Sequence, residues 1–307
     1  MIKVKKQVMY SKLEATYGVD PVPLGATDAV VANNVRISPV EVTAIARPGV
    51  ASFFGGAGKI IAGEHVKFGF DVEMFTSGVA GTPAAYAALM KGAAHAETIV
   101  ALTSVTNTPI TSGEQSMTHY FNRDGKLRKI TGWKGSIKAK MSPKGIPMWS
   151  FDGVGLYLPA TDVVLGAATL TTWKSPLAVG AGTTVATLFG FAALVSEFSF
   201  DQGSKVVYRE LINGESVQII DRASTASIVI EEPSIAAKDF ELLFRMGTLG
   251  ALSITHGTVA GSKLQHSAAQ VQIVSLAETV VDDIAHLTLG LEYIPSADGN
   301  DYSWAFL

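Results

Sequence analysis

The amino-acid sequence predicts a mainly β chain, built as two β-sandwich or open-barrel units in tandem, each flanked by one short α-helix. Three observations predict it. Several windows alternate apolar and polar residues with period two, as a strand with one buried face does. Turn-forming residues separate those windows. One order of elements, an alternating strand, a short helix and further alternating strands, occurs in each half of the chain.

In the first half, Val66, Phe68, Phe70, Val72 and Met74 share one side of a strand, with Lys67, Gly69, Asp71 and Glu73 on the other. Thr82 can cap a helix, Pro83 suits its first position, and 84–91 is rich in helix formers before Gly92. Tyr86, Leu89 and Met90 fall at helical spacing, so one stripe can lie on a sheet. Ile137, Ala139 and Met141 then alternate with Ser136, Lys138 and Lys140, and Trp149, Phe151, Gly153, Gly155 and Tyr157 form one face of a further strand. Asp124-Gly125 suits a tight primed turn and Pro143-Lys144-Gly145 marks another reversal.

The second half follows the same order. Ala226, Ile228 and Ile230 alternate with Ser227, Val229 and Glu231. Ser234 can cap a helix over 234–246, with Phe240, Leu243 and Phe244 as its apolar stripe and Gly247 as its stop. Strands follow at 271–276 and over Ala285, Leu287, Leu289, Leu291 and Tyr293. Tyr157-Leu158-Pro159 matches Tyr293-Ile294-Pro295, each at the end of an alternating strand. Order and motif together predict a tandem duplication, with a first unit over 1–162, a linker or interface segment over 163–189 and a second unit over 190–307.

Composition narrows the function. Hydrophobic residues make up 48% and charged residues 17% of 307, which supplies large cores and leaves weakly charged surface suited to contact area in an assembly. A net charge of −3 argues against a dedicated nucleic-acid clamp, which needs a basic stripe. The absence of cysteine excludes disulfide and thiolate chemistry and fits synthesis in a reducing compartment. The uncharged run 175–196 is broken by Pro176 and several glycines, so no membrane insertion is expected.

The usual catalytic constellations are missing. The six histidines have no i,i+4 pairing, and read as surface or strand-face residues rather than metal ligands. Gly55-Gly56-Ala57-Gly58-Lys59 fails as a phosphate loop, because Phe53 and Ile60 stand where a glycine and a Ser or Thr are required. Glu231-Glu232 and Asp282-Asp283, read as strand neighbours, point to opposite faces and form no acid/base dyad. The chain is expected not to be an enzyme, and to need no cofactor or metal.

An ordered set of features over the first 160 residues resembles the major tail tube proteins of long-tailed bacteriophages. It begins with Glu14-Ala15-Thr16-Tyr17-Gly18-Val19-Asp20-Pro21-Val22-Pro23, then Val35-Arg36-Ile37-Ser38-Pro39-Val40-Glu41. A loop with Arg47-Pro48 and glycines leads to Gly63-Glu64-His65-Val66-Lys67-Phe68. Gly78-Val79-Ala80-Gly81-Thr82-Pro83-Ala84-Ala85-Tyr86, Tyr120-Phe121-Asn122-Arg123-Asp124-Gly125-Lys126 and Trp149-Ser150-Phe151-Asp152-Gly153 complete it. The resemblance implies sheets that join those of neighbours into rings, with a continuous β-barrel lumen, stacked into a tube.

On this resemblance the loop 46–61 is a stacking element between rings, with Arg47, Phe53, Phe54 and Lys59 as its contacts; the alternative is an ordinary hairpin loop. Asp71 and Glu73 are expected to face the channel, because an acidic or neutral wall lets double-stranded DNA slide. Two units per chain predict a trimeric ring with pseudo-six-fold symmetry. The expected partners are further copies of the chain, then tape measure, tail terminator and distal tail proteins, with DNA passing transiently. The expected place is the virion tail, after assembly in the host bacterial cytoplasm. The alternatives are a virion adhesion or decoration module, the inner tube of a contractile injection system, and a β-sandwich hydrolase.

Overall fold

A computed structural model describes residues 1–49, 54–56, 58–296 and 299–307. The protein is mainly β and β-sandwich-like, with large antiparallel sheets and two short helices. The alternating windows form strands as read. Val66, Phe68, Phe70, Val72 and Met74 are all buried, as are Ile137, Ala139, Met141, Trp149 and Phe151. In the second half Ala226, Ile228, Ile230, Leu287, Leu289, Leu291 and Tyr293 are buried, while Ala285 is exposed.

The first half is a row of six strands. In spatial order these are β1 (Gln7–Leu13), β7 (Met117–Arg123), β8 (Lys126–Met141), β9 (Met148–Tyr157), β4 (Lys59–Glu73) and β3 (Asn33–Ala46), each antiparallel to the next. The second half has a row in the same order: β11 (Thr184–Leu188), β17 (Leu249–His256), β18 (Leu264–Val281), β19 (Ile284–Tyr293), β16 (Thr225–Glu231) and β13 (Val195–Asp201). Register irregularities coincide too. A bulge separates Thr131 from Lys134 against β9, and Ile273 from Ser275 against β19; another separates Asn33 from Arg36, and Val195 from Glu197.

The rows join edge to edge where β13 pairs with the end of β8, Asp201 opposite Lys138 and Phe198 opposite Met141. A second link comes from β20 (Ser303–Phe306), which lies between β18 and β6 (Ser104–Pro109), itself paired with β5 (His95–Val100). Trp304 of β20 sits edge-on to Trp149, with centroids 4.5 Å apart, and 4.1 Å from His266. One apolar core therefore runs through both halves. No pairing among the described residues closes the sheet into a barrel.

Both helices start later than the sequence reading placed them. α1 is Ala87–Gly92, and its first turn has no side-chain cap. Tyr86, fully buried, donates its hydroxyl to the Phe75 carbonyl at 2.7 Å, so a tertiary bond sets the start in place of Thr82 and Pro83. α2 is Phe240–Arg245, capped by Asp239, whose side chain accepts from the Leu242 amide at 2.8 Å. Ser234 instead closes a separate turn, accepting from Ala237 and Lys238 through its carbonyl. Gly247 stops the helix in left-handed conformation as read, but of the expected stripe Phe240 alone is buried, and Phe244 is 37% exposed.

Within 163–189, β11 supplies an edge strand of the second row. Before it the chain laces along the first row, with Tyr10 Oη donating to the Ala167 carbonyl and Trp173 Nε1 to that of Ala29. Asp282 and Asp283 lie at the β18–β19 turn with positive φ, not on a strand; Asp tolerates that conformation. Among the described residues, no helix is long and apolar enough to cross a membrane.

Candidate assembly surface

The face of the joined rows opposite the core is polar and its charges are matched in pairs. Lys138 Nζ meets Asp201 Oδ2 at 2.8 Å and Lys140 Nζ meets Glu197 Oε1 at 2.8 Å, both across the β8–β13 junction. Exposed pairs of this kind contribute about 0–1 kcal/mol each, so their main effect is to fix register. Arg36 on β3 bridges Asp71 at 2.9 Å and Asp152 at 3.0 Å. A groove of about 710 Å³ opens on this face, lined by Arg36, Lys67, Lys138, Asp152 and Asp201 among others.

Asp71 lies on this face, as its alternation requires, but it is buried and fully engaged. Ser150 Oγ donates to it at 2.7 Å and Asn34 Nδ2 at 2.9 Å, besides Arg36. Burial opposes its charge, yet those hydrogen bonds and the guanidinium outweigh it and hold the carboxyl below its ordinary range. Glu73, two residues on, is partly exposed opposite Met148. The structure thus places the two acids on one face and ties one of them into a network.

The expected stacking residues lie around the tip of the β3–β4 hairpin. Arg47 follows β3, Lys59 opens β4 opposite Ala46, and Phe54 is fully exposed; Phe53 lies outside the described residues. The outer half of this hairpin also exposes Val42, Ile45, Ile60 and Ile61.

In the second row the corresponding connection, between β13 and β16, is a separate hairpin of β14 (Ser204–Leu211) and β15 (Gly214–Arg222). This one is folded back on the first half. Tyr208 stacks on His65 with centroids 4.7 Å apart, and the amide of buried Val217 donates to Tyr17 Oη at 2.5 Å. Among the described residues, the outer half of the first arm is exposed, and its counterpart is docked.

Sequence reasoning missed the polar side chains that lock the halves together. Gln202 is fully buried at the β13–β14 corner, accepting from Ile137 N and donating to the Ala93 carbonyl, both at 2.9 Å. Buried Asp301 accepts from Ser224 Oγ at 2.6 Å and pairs with Arg222 at 3.0 Å, and Arg222 donates in turn to the Ile110 carbonyl of the first half at 3.3 Å. Their partners are far away in sequence, so no local signal marks them.

His95, His119 and His266 are buried rather than on the surface, packed against Tyr302, Trp133 and Trp304, and burial keeps the rings neutral. Among the described residues, no group of three or more His, Cys, Asp or Glu could hold a metal ion. The chain matches no protein-family model and no curated protein sequence.

Proposed function

We propose that the protein is a non-catalytic structural subunit of a bacteriophage tail, a tandem duplication whose copies form rings that stack into the tube conveying double-stranded DNA. The observation that carries this reading is the shared order of the two rows, already joined edge to edge within one chain. A unit that pairs with a copy of itself inside the chain is suited to pair with further copies outside it, and closure of such a series removes exposed sheet edges. Three chains then supply six units.

The matched polar face supports the same reading. Lysines neutralised by Asp201 and Glu197 release few counterions to DNA, so a wall made of such a face holds DNA weakly. The exposed Phe54 arm is the candidate contact between rings, and tape measure, terminator and distal tail proteins are the candidate partners at the tube's ends and interior.

Negative-stain microscopy with mass photometry tests this. The expected result is stacked rings, each with about three times the 32.3 kDa mass of the chain. A chain that stays monomeric at every concentration, including after addition of preformed tail tips, would overturn it.

A further inference from the structure

We propose that β3 of one chain pairs antiparallel with the outer half of β18 of the next, repeating between chains the junction that β13 makes with β8 within one. This deepens the ring-forming reading and rests on it.

The two rows can be superposed residue by residue from their pairings. Tyr157 faces Ile130 and Tyr293 faces Val271, which makes Ile130 of β8 equivalent to Val271 of β18. One extra residue bulges out of each strand just beyond that point, so the equivalence continues and Lys138 corresponds to Thr279. Likewise Phe68 and Phe70 correspond to Ile228 and Ile230 through their partners on β9 and β19. Ile37 faces Phe68 and Phe198 faces Ile228, so Ile37 corresponds to Phe198 and Ser38 to Ser199; β3 then bulges by one residue that β13 lacks, so Glu41, facing His65, corresponds to Asp201, facing Thr225.

Within the chain, β8 uses one edge twice: its first half pairs with β7 and its last residues with β13. On β18 the same edge is covered by β17 only as far as Gln272, and from there to Val281 its one partner among the described residues is β19, on the other edge. On β13 both edges are taken, by β16 and β8, whereas β3 pairs with β4 alone. Each chain therefore offers one unfilled copy of each side of its own internal junction. The two cannot be the same contact, so the series continues head to tail and closes only as a ring.

The side chains there are those of a covered edge. Val280 is 72% exposed, Val40 40% and Ile284 49%, and Glu278 is the one charge between Val274 and Val281. Transfer of the internal register puts Ser38 opposite Val281, as Ser199 lies opposite Lys140. The Gln202 amide donates to Ile137, so alternate residues Phe200 and Phe198 also aim their amides at β8. β3 carries Pro39 and Val40, at its bulge, in the place of Phe200, and Pro39 has no amide proton. Its free edge is thereby blunted against pairing out of register.

Ser38, like Ser199, then occupies a non-hydrogen-bonded position, where facing Cα atoms lie about 4.5 Å apart, within reach of a disulfide. The native chain has no cysteine, so the test has no background. Oxidised assemblies of the Ser38→Cys/Val281→Cys variant are expected to give a covalent ladder on a non-reducing gel, ending at the ring number. Ser38→Cys/Val280→Cys, one residue out of register, is expected to give at least ten-fold less.

Rings by microscopy without the ladder would overturn the β3–β18 junction and leave the ring reading standing. Neither rings nor ladder at any concentration would overturn both. As a second measurement, Val280→Lys is expected to leave the melting of the monomer unchanged and to lower ring yield at least ten-fold; normal yield would sink the junction.

Discussion

His95, His119 and His266 are sealed among apolar and aromatic side chains, and burial lowers their pKa to about 4, about 3 and about 3 respectively. Above pH of about 6.5 these rings are neutral in folded and unfolded chains alike and add no pH dependence. Below it the unfolded chain takes up protons that the folded chain refuses until about pH 3–4, so stability falls as pH falls. The slope approaches about 1.4 kcal/mol per pH unit for each ring. Asp71, whose pKa is depressed, adds to the loss in the same direction at lower pH. We expect a melting temperature that is flat near neutrality and drops between about pH 6 and 4, and a slope about one third shallower in His119→Gln, checked by calorimetry across that range. At this scale little was legible. Glu14 stood out only as part of a motif, yet it is a buried acceptor for Gly18 N, Ser116 Oγ, Thr118 Oγ1 and Gly132 N at 2.6–2.7 Å. Three of those four donors lie about a hundred residues away, where no spacing rule reaches.

The docked arm of β14 and β15 is held by the His65–Tyr208 stack and the Val217–Tyr17 bond, and at its base by the Ser204–Ser136 bond and the Arg222–Asp301 pair. An aromatic stack contributes about 0.5–1.5 kcal/mol, so Tyr208→Ala should raise the open population of the arm up to about ten-fold. Limited trypsin cleavage at Lys205 and Arg209 is the readout, with an accelerated rate and little change in global melting; an unchanged rate would mean the arm is held elsewhere. Long strands with one buried face were legible here, because Phe68, Phe70 and Val72 alternate with polar residues whatever else the chain does. Helix starts were not, since Tyr86 and Asp239 answer to tertiary and capping bonds that outrank the propensities of Thr82 and Ser234. β14 and β15 were not either: Val206, Val207 and Tyr208 are all partly exposed, so no clean alternation marks the arm. The Arg36–Asp71 pair that changes the character of the polar face depends on cross-strand register, which composition does not encode.

For the whole molecule, the proposed tube gives the matched charges on the polar face a measurable consequence for DNA. Replacing Glu197 with Gln and Asp201 with Asn leaves Lys140 and Lys138 without their partners. Assembled rings of that variant should bind double-stranded DNA measurably where the native rings do not, with affinity falling with salt by about 0.9 in log–log slope per freed lysine. Filter binding across a salt series checks it, and equal binding by both proteins would remove this face from the channel. The shared row order was legible only as a coarse repetition of strand, helix and strand; the β8–β13 junction was not, because Lys138 and Asp201 become neighbours only once both rows exist. β20 has a further consequence, in time rather than space. It is the last described strand to leave the ribosome, and Trp304 is the side chain that joins the aromatic clusters of the two halves. A nascent chain short of residue 304 lacks this link between the two clusters, so the joined core forms only after the strands of both halves have been made.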